Sequence, residues 1–328
     1  MPILKSNAYG HGIYEMARHI RNMGVRYLGV ATLGEAILLR NRGDKGRIIS
    51  WLYNIHGQEI KDAIHLDLDI TLFDETHLVH LKRMIPRGKK VRLTVFVDTG
   101  IQRAGIPYEK ALDVCRTVAK SPCFSFVGLM SHLVCSDRPR SPIVHEQLRL
   151  FRALRDTLQK EGIEPPMVHI ANTDACLQYD VSDFTISRVG IGVIGLSRCR
   201  APLQIAMELT TRIIQIKEIH KGDGVGYDWE FKAPRTMNIA ILPIGYGDGL
   251  PVSTTHVYCN GSRRRVLGQI SMDQMAIEAK KEDRVHDIVC LFGSSCSQTI
   301  YDIAKQSHCE PVEILSHLGH RIQRIYTH

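Results

Sequence analysis

The residues from Pro2 to Gly12 combine a lysine with a local pattern that would place it in a cleft. A short apolar run ends at Lys5, and the glycine-punctuated stretch Ser6-Asn7-Ala8-Tyr9-Gly10-His11-Gly12 follows at once. An amphipathic helical pattern begins at Ile13. A lysine at the carboxyl end of a strand can act as an amine nucleophile or form a Schiff base. The alternative is a solvated lysine at a strand end, which is the common situation for this residue type.

Two further candidates follow apolar runs. Arg103 lies in Val97-Asp98-Thr99-Gly100-Ile101-Gln102-Arg103-Ala104-Gly105. Its planar guanidinium could bind a carboxylate or a phenolic oxygen, although a surface arginine after a turn is an equally reasonable interpretation. His132 ends the run Gly128-Leu129-Met130-Ser131-His132. A histidine at a strand end is more often merely packed, so its spacing alone does not assign a role.

Two later segments present backbone N–H groups in a manner that suits phosphate. Asn172-Thr173 places a hydroxyl residue at a predicted helix start, and Gly190-Ile191 forms a turn after the last strand of the alternating region. The run from Gly190 to Gly195 also spells Gly-x-Gly-x-x-Gly. A dinucleotide site would need that motif after the first strand of a βαβ unit, so its position here argues against one.

The last third of the sequence places reactive side chains in glycine-rich segments. Tyr227 follows Gly224-Val225-Gly226, Tyr246 lies within Pro243–Gly249, and Met272-Asp273 lies within Gly268–Gln274. Residue types alone are equally consistent with core tyrosines, a glycine-rich hairpin and a buried methionine.

The elements that must position these residues form two patterns. Up to about residue 200, apolar runs alternate with helical patterns, which predicts a (β/α)8 TIM-type barrel, with a doubly wound sheet as the alternative. The predicted strands are Pro2–Lys5, Arg26–Ala31, Gly46–Trp51, Asp69–Phe73, Val91–Asp98, Ser125–Ser131, Met167–Ala171 and Thr185–Val189. The predicted helices include Leu33–Asn41, Tyr108–Ala119 and Val144–Glu161.

Beyond about residue 204, short alternating runs predict a mostly antiparallel β domain. The runs are Ile205–Ile219, Met237–Pro243, His256–Cys259, Arg265–Ile270 and Ile288–Phe292. We therefore expect a barrel domain over residues 1–204 and a β domain over residues 205–328.

Composition narrows the class of protein. The chain has 328 residues, 44% hydrophobic and 23% charged, with a net charge of +8. The basic residues are dispersed, so we expect no nucleic-acid partner, whereas an anionic cofactor and substrate would suit the charge. We expect no membrane partner, because no apolar run reaches the length of a bilayer span and no signal peptide opens the chain. Nine cysteines without a Cys-x-x-Cys pair argue against a disulfide framework or a metal site and favour the cytoplasm.

Taken in order from Lys5 to Tyr326, these motifs resemble those of the alanine racemases. That resemblance implies a pyridoxal 5'-phosphate (PLP) enzyme that interconverts L- and D-alanine, built as a barrel followed by a β domain. It implies that Lys5 holds PLP, and that Lys5 and Tyr227 act as the two bases on opposite faces of the substrate. The implied cofactor contacts are Lys5, Tyr9, His132, Asn172, Thr173, Arg188, Gly190 and Ile191. The implied substrate contacts are Arg103, Tyr246, Met272 and Asp273.

The resemblance assigns finer roles as well. Arg188 would face the pyridine nitrogen and keep it unprotonated, with His169 supporting the arginine. A head-to-tail homodimer is implied, in which Tyr227 and Met272 reach the site from the partner subunit. The supply of D-alanine as a peptidoglycan precursor is the implied physiological role. The segments Glu313-Ile314-Leu315-Ser316 and Arg321–Tyr326 resemble the end of the family's chain, near its final strand.

Three departures from the family pattern leave alternatives open. Family members begin a few dozen residues earlier, with a strand of the β domain and a helix that covers the barrel, and a shortened chain, a misassigned start codon and a genuine loss are all open explanations. Phe96 stands where many members have a lysine seven residues before the arginine, which motivates a serine or broad-specificity racemase as an alternative. Val312 stands where a tyrosine bonds the phosphate, so weaker PLP binding is expected. A PLP-binding protein without turnover is the alternative from another class.

Overall fold

The computed structural model describes residues 1–199 and 201–327. The chain forms two compact units, Met1–Gln204 and Ile205–His328. Within the described residues, no helix combines the length and the apolar character that crossing a membrane requires.

The first unit is a parallel barrel, as the alternation of strands and helices predicts. Its main strands are β1 (Tyr27–Thr32), β2 (Arg47–Leu52), β3 (Asp69–Leu72), β4 (Val91–Asp98), β5 (Phe124–Met130) and β6 (Met167–His169). They pair in parallel in the order β1-β2-β3-β4-β5-β6, and the short strand Ile106–Pro107 pairs with β4.

The remaining two predicted strands close the ring through a few backbone contacts. Pro2 bridges Val189 and Ile3 bridges Gly29, both in parallel. On the other side, the Thr185 N–H donates to the Val168 carbonyl at 3.1 Å. The segments predicted as Pro2–Lys5 and Thr185–Val189 therefore occupy the expected positions, but the chain already leaves extended geometry at Leu4, where ψ is 24°.

Helices follow the strands. They are α1 (Ile13–Asn22), α2 (Leu33–Asn41), α3 (Gln58–His65), α4 (His77–Met84), α5 (Tyr108–Lys120), α6 (Pro142–Lys160) and α7 (Thr173–Gln178). Thr32 starts α2 with a capping box shared with Glu35. The core lies between strands and helices, where alternate residues such as Leu93, Val95 and Val97 are fully buried.

The second unit is built on an antiparallel sheet, which agrees with the predicted β domain. Its strands are β7 (Leu209–Arg212), β8 (Gln215–Ile219), β9 (Met237–Leu242), β10 (His256–Cys259), β11 (Ser262–Leu267), β12 (Met275–Ala279) and β13 (Ile288–Phe292). The order across the sheet is β7-β13-β10-β11-β12-β9-β8. A two-stranded ribbon, Gly224–Val225 with Phe231–Lys232, lies apart from that sheet.

Several local features of this unit differ from the prediction. β12 was not expected, and the chain adds helices α8 (Ile300–Ser307) and α9 (Pro311–His317). The segment Glu313–Ser316 is therefore helical and does not approach a final strand, because Pro311 starts a helix and its ring suits a first turn. The residues from Leu318 to Thr327 form no strand.

The cysteines also differ from expectation in one place. Cys290 of β13 and Cys296 form a disulfide, with their Cα atoms 6.2 Å apart. The two cysteines are six residues apart and their bond closes one local loop. The number of cysteines in the sequence could not predict this single disulfide. The other cysteines within the described residues are free thiols.

Candidate active site

Lys5 begins a left-handed turn at the carboxyl end of the first barrel segment. Ser6, Asn7, Ala8 and Tyr9 all have φ between 52° and 56°. A left-handed conformation costs a non-glycine residue about 1–2 kcal/mol. The surrounding bonds must therefore hold the turn, and one of them joins the Ile13 N–H to the Asn7 Oδ1 at 2.8 Å.

The Lys5 ammonium lies in a partly buried, electropositive setting. Burial lowers the pKa of Lys5, and the charge of Arg103 lowers that pKa further, whereas Glu35 raises it. Desolvation disfavours the charged form of an amine, so this lysine reaches its nucleophilic neutral state more readily than a surface lysine does.

Arg188 is a buried cation without a carboxylate partner within the described residues. Its Nη1 donates to the His169 Nδ1 at 2.7 Å and to the His169 carbonyl at 3.0 Å. Its Nη2 donates to the carbonyls of Ser131 and Ile170 and to the His132 Nδ1 at 3.1 Å. Burial lowers the pKa of Arg188 to about 10, so the guanidinium remains charged at neutral pH. Its Nε makes no hydrogen bond to the described residues and can donate to a ligand.

His132 is neutral, and its tautomer follows from its partner. A guanidinium has no acceptor, so the His132 Nδ1 must accept from Arg188 and the proton must sit on Nε2. Burial lowers the pKa of His132 to about 3, with further lowering from the charges of Arg188, Arg103 and Lys5. Three cations therefore converge on one imidazole, and such a site favours an anionic ligand.

Thr173 and two glycines form a narrow polar cradle. The Thr173 Oγ1 accepts from the N–H groups of Gly190 and Gly192, each at 3.1 Å. A Cβ at position 190 would overlap the Tyr9 hydroxyl, so this backbone approach requires glycine. Ile191 opens the short 3-10 turn Ile191–Ile194 that follows.

Asn172 orders the start of the same region. Its Oδ1 accepts from the Ala175 N–H at 3.0 Å and from the Ser136 Oγ at 2.7 Å. The first contact caps α7, and the second ties that cap to the loop after β5. The side chain of Asn172 therefore helps to fix the backbone conformation at the start of the cradle.

Arg103 extends from the loop after β4 and is exposed. The Asp98 Oδ1 accepts from the N–H groups of Gly100, Ile101 and Gln102, at 2.8, 2.9 and 3.3 Å. This carboxylate fixes the turn that precedes Arg103. Phe96 is buried in β4 and pairs with Met130 of β5.

Gln147 is a functional candidate that the sequence patterns did not reveal. It lies on α6 and is 1% exposed. Its Nε2 donates to the His132 carbonyl at 3.0 Å and to the Thr99 Oγ1 at 3.3 Å, and its Oε1 accepts from the Val134 N–H at 3.0 Å. One buried amide therefore holds the loops after β4 and β5 together. An internal glutamine in an amphipathic helix gives no sequence signal for this role.

In the second unit, the predicted residues occupy adjoining loops. Tyr227 is 65% exposed, Tyr246 is 45% exposed and Met272 is 53% exposed. The N–H groups of Tyr246 and Gly247 donate to the carbonyls of Ser271 and Met272, which joins two of these loops. Large apolar side chains that are exposed in this way are candidates for contact with a ligand or partner.

Arg321 organises the loop that carries Met272 and Asp273. Its Nε pairs with Asp248 at 2.9 Å, and its Nη1 pairs with Asp273 at 2.5 Å. Asp273 therefore acts on the shape of the loop, and Arg321 is a contributor that the motifs did not single out. Val312 lies in the first turn of α9.

Together the first unit holds an amine nucleophile, a buried guanidinium and a neutral histidine, set beside a backbone cradle. Side chains of these types, placed in the loops that follow barrel strands, are typical of the active sites of barrel enzymes. Residues 1–198 match the family described as alanine racemase, N-terminal domain, and residues 206–326 match the alanine racemase C-terminal domain. The chain belongs to the alanine racemase family.

Similar proteins agree with that assignment over nearly the full length. An alanine racemase of Thermobifida fusca is 31% identical, covering 100% of this chain and 91% of that protein. Alanine racemase 2 of Caldanaerobacter subterraneus is 32% identical, covering 99% of this chain and 87% of that protein. The structure of alanine racemase from Streptomyces lavendulae superposes with a TM-score of 0.90 at 31% identity, covering 100% of this chain and 90% of that one.

Proposed function

We propose that this protein interconverts L- and D-alanine with bound PLP, and that Lys5 and Tyr227 are its two bases. The observation that carries the proposal is Arg188, a buried guanidinium held by His132 and His169 with its Nε left to donate. A pyridine nitrogen is an acceptor of suitable geometry for that donor. The family assignment supports the substrate.

The residues present fit PLP. When bound, PLP withdraws electrons from the amino acid and so acidifies its Cα–H bond. The Lys5 amine would hold the cofactor, and the cradle of Thr173, Gly190 and Ile191 would receive the phosphate beside the Tyr9 hydroxyl. Arg188 would donate to the ring nitrogen and keep it unprotonated, because a guanidinium does not give up its proton at neutral pH. An unprotonated ring withdraws fewer electrons, which limits side reactions.

Racemisation removes a proton from one face of Cα and returns one on the other, so it needs two bases. Lys5 would serve one face through its Nζ, and Tyr227 would serve the other through its phenolic oxygen. Arg103, Tyr246 and Met272 would hold the substrate, with Asp273 ordering the loop. We place the enzyme in the cytoplasm, where it would supply D-alanine.

We also propose a homodimer in which Tyr227 and Met272 serve the site of the partner subunit, with Tyr246 in the loop that is hydrogen-bonded to the Met272 loop. The exposure of these three side chains supports the proposal, because a catalytic tyrosine needs an enclosed site in order to exclude water. The aromatic and methionine composition of the surface is typical of interface cores.

The decisive experiment for the reaction is proton exchange at Cα. Purified protein with PLP is incubated with L-alanine in heavy water, and NMR and chiral chromatography follow deuterium incorporation and D-alanine. Exchange with inversion supports the proposal. PLP binding without exchange of alanine or serine would favour a binding protein without turnover.

The shared site has its own test. The variants Lys5→Ala and Tyr227→Phe are mixed, unfolded gently and allowed to reassociate. If each site combines residues of both subunits, half of the dimers carry one intact site, and about a quarter of the wild-type L-to-D rate returns. If each site lies within one subunit, no activity returns.

Phe96 favours one alternative specificity. A buried phenylalanine in β4 supplies no charge to hold Arg103, so the carboxylate-binding arginine has more freedom. A side-by-side rate comparison of alanine, serine, lysine and arginine tests this, since a serine rate above the alanine rate would replace the proposed substrate.

A further inference from the structure

The carboxylate of Glu35 connects the turn that follows Lys5 to the end of strand β1. Glu35 lies in the first turn of α2, and its Oε1 accepts from the Ser6 N–H at 2.6 Å. Its Oε2 accepts from the N–H groups of Ala31 and Thr32 at 2.9 and 3.1 Å. Each oxygen therefore serves a different segment, one the left-handed turn and the other the end of β1.

The contact to Ser6 has consequences because Ser6 is the first left-handed residue after Lys5. A strained turn persists where its surroundings fix it, and an ionised carboxylate is a strong acceptor for a backbone N–H. In an ordinary capping box, the glutamate accepts only from backbone N–H groups at the start of its own helix. Glu35 reaches beyond that start to a residue 29 positions away.

The charge of Glu35 also acts on the lysine. Lys5 interacts electrostatically with Glu35 on α2, with Arg103 in the loop after β4 and with His132 in the loop after β5. Tyr9 lies on the same turn as Lys5 and is influenced by Glu35. Arg103 is positively charged, and His132 and Tyr9 are neutral at pH 7. Among the described residues, Glu35 is thus the anion whose charge opposes that of Arg103 at Lys5.

We propose that Glu35 is a positioning residue for Lys5, which holds the left-handed turn through Ser6 and supplies the negative charge that opposes Arg103. This inference rests on the proposed role of Lys5 as the cofactor lysine. It assigns to the start of α2 a part in setting both the direction and the charge of the reacting amine.

The test uses the full-length apoprotein, freed of PLP with hydroxylamine, so that it does not depend on turnover. Competitive acetylation with acetic anhydride across pH, read by mass spectrometry, gives the pKa of Lys5. Hydrogen exchange of peptides spanning residues 4–10 reports the Ser6 bond. Glu35→Gln removes the charge, and Glu59→Gln on the neighbouring helix α3 is the matched control.

In Glu35→Gln we expect the pKa of Lys5 to fall by about half a unit or more, because the countercharge is lost. We expect peptides over residues 4–10 to exchange about fivefold faster or more, because a charged hydrogen bond is weakened. Glu59→Gln should match the wild type in both measurements. A folded Glu35→Gln protein with unchanged Lys5 titration and unchanged exchange would overturn the proposal.

A second variant covers the case in which Glu35→Gln does not fold. Glu35→Asp keeps the charge but is too short to reach Ser6, so we expect faster exchange with a Lys5 pKa near that of the wild type. Unchanged exchange in Glu35→Asp would contradict the proposal. If the wild type does not racemise alanine, the proposed function is contradicted. The Lys5 pKa and the hydrogen exchange of residues 4–10 still test the role of Glu35, because neither measurement depends on turnover.

Discussion

The Nη1 of Arg188 donates to the Nδ1 of His169 at 2.7 Å, which fixes the tautomer of a fully buried imidazole. His132 accepts from the same guanidinium through its own Nδ1. Two neutral histidines thus take the place of the carboxylate that usually accompanies a buried arginine. Since neither neutralises the cation, the positive charge of Arg188 remains available to a ligand.

Replacing Lys5 by alanine should abolish racemisation in both directions and the visible absorbance of protein-bound PLP. The amine is the group that would both hold the cofactor and exchange the proton. Borohydride reduction followed by peptide mapping checks the attachment in the wild type. Label on another lysine, or residual turnover in Lys5→Ala, would show that Lys5 is not the cofactor lysine.

Replacing Tyr227 by phenylalanine should slow Cα deuterium exchange of L-alanine by about 10²–10⁴-fold, the usual contribution of a general base. Exchange of D-alanine should suffer far less, because Lys5 serves the opposite face. Tyr258→Phe, in β10 of the same unit, is the control and should leave both rates unchanged. Equal losses for the two enantiomers would contradict the assignment of faces.

Acid should destabilise the protein between about pH 6.5 and pH 3, partly through His132. Its pKa is about 3 when folded and 6.5 in its ordinary state, so the unfolded chain binds a proton that the native protein does not. The stability that neutral His132 contributes is present above pH 6.5 and is lost as pH falls. The pKa of buried His169 is also lowered, which adds to the same trend.

Melting temperatures measured by scanning fluorimetry from pH 7.5 to pH 4 test this effect. His132→Gln should melt lower than the wild type at pH 7.5 but lose less on acidification. The exposed His65, changed to glutamine, should leave the slope unaltered. A His132→Gln slope as steep as that of the wild type would argue that His132 does not couple folding to pH.

Replacing Gln147 by alanine should lower the free energy of unfolding by about 2–3 kcal/mol, because the Val134 N–H and the His132 carbonyl lose a buried partner. Urea denaturation measures the change in the free energy of unfolding. The control Gln159→Ala, at an exposed position of the same helix, should change that free energy little. We also expect a higher KM for alanine, since the loops that carry Arg103 and His132 are no longer joined. A stability change equal to that of Gln159→Ala would refute the bridging role.

The sequence predicted the barrel well because alternation of apolar runs and amphipathic helices is a long-range, repeated signal. It placed Lys5 at the end of the first barrel segment for the same reason. It could not predict the left-handed conformation of Ser6 to Tyr9, since none of those residues is a glycine and the turn is stabilised by partners distant in the chain.

The contributions of Glu35 and Gln147 were missed for a related reason. Glutamate in a first helical turn and glutamine in an amphipathic helix are ordinary choices, and their partners are determined by tertiary structure. Helix α9 was missed because the segment Glu313–Ser316 was interpreted only through its resemblance to the end of the family's chain, and Pro311 was not recognised as a helix start.

The closure of the barrel also determines when, during folding, Lys5 enters the environment that lowers its pKa. The bridge between Pro2 and Val189 joins residues nearly two hundred positions apart, and the bridge between Ile3 and Gly29 attaches the same segment to the first regular strand. Contacts of such high sequence separation form slowly, because a long loop must close before they stabilise the chain. Lys5 follows those bridges directly, so nascent or partly folded chains would leave it as an ordinary amine. Capture of the cofactor would then report completion of the barrel, which makes the colour of the bound cofactor a kinetic probe of the last folding step.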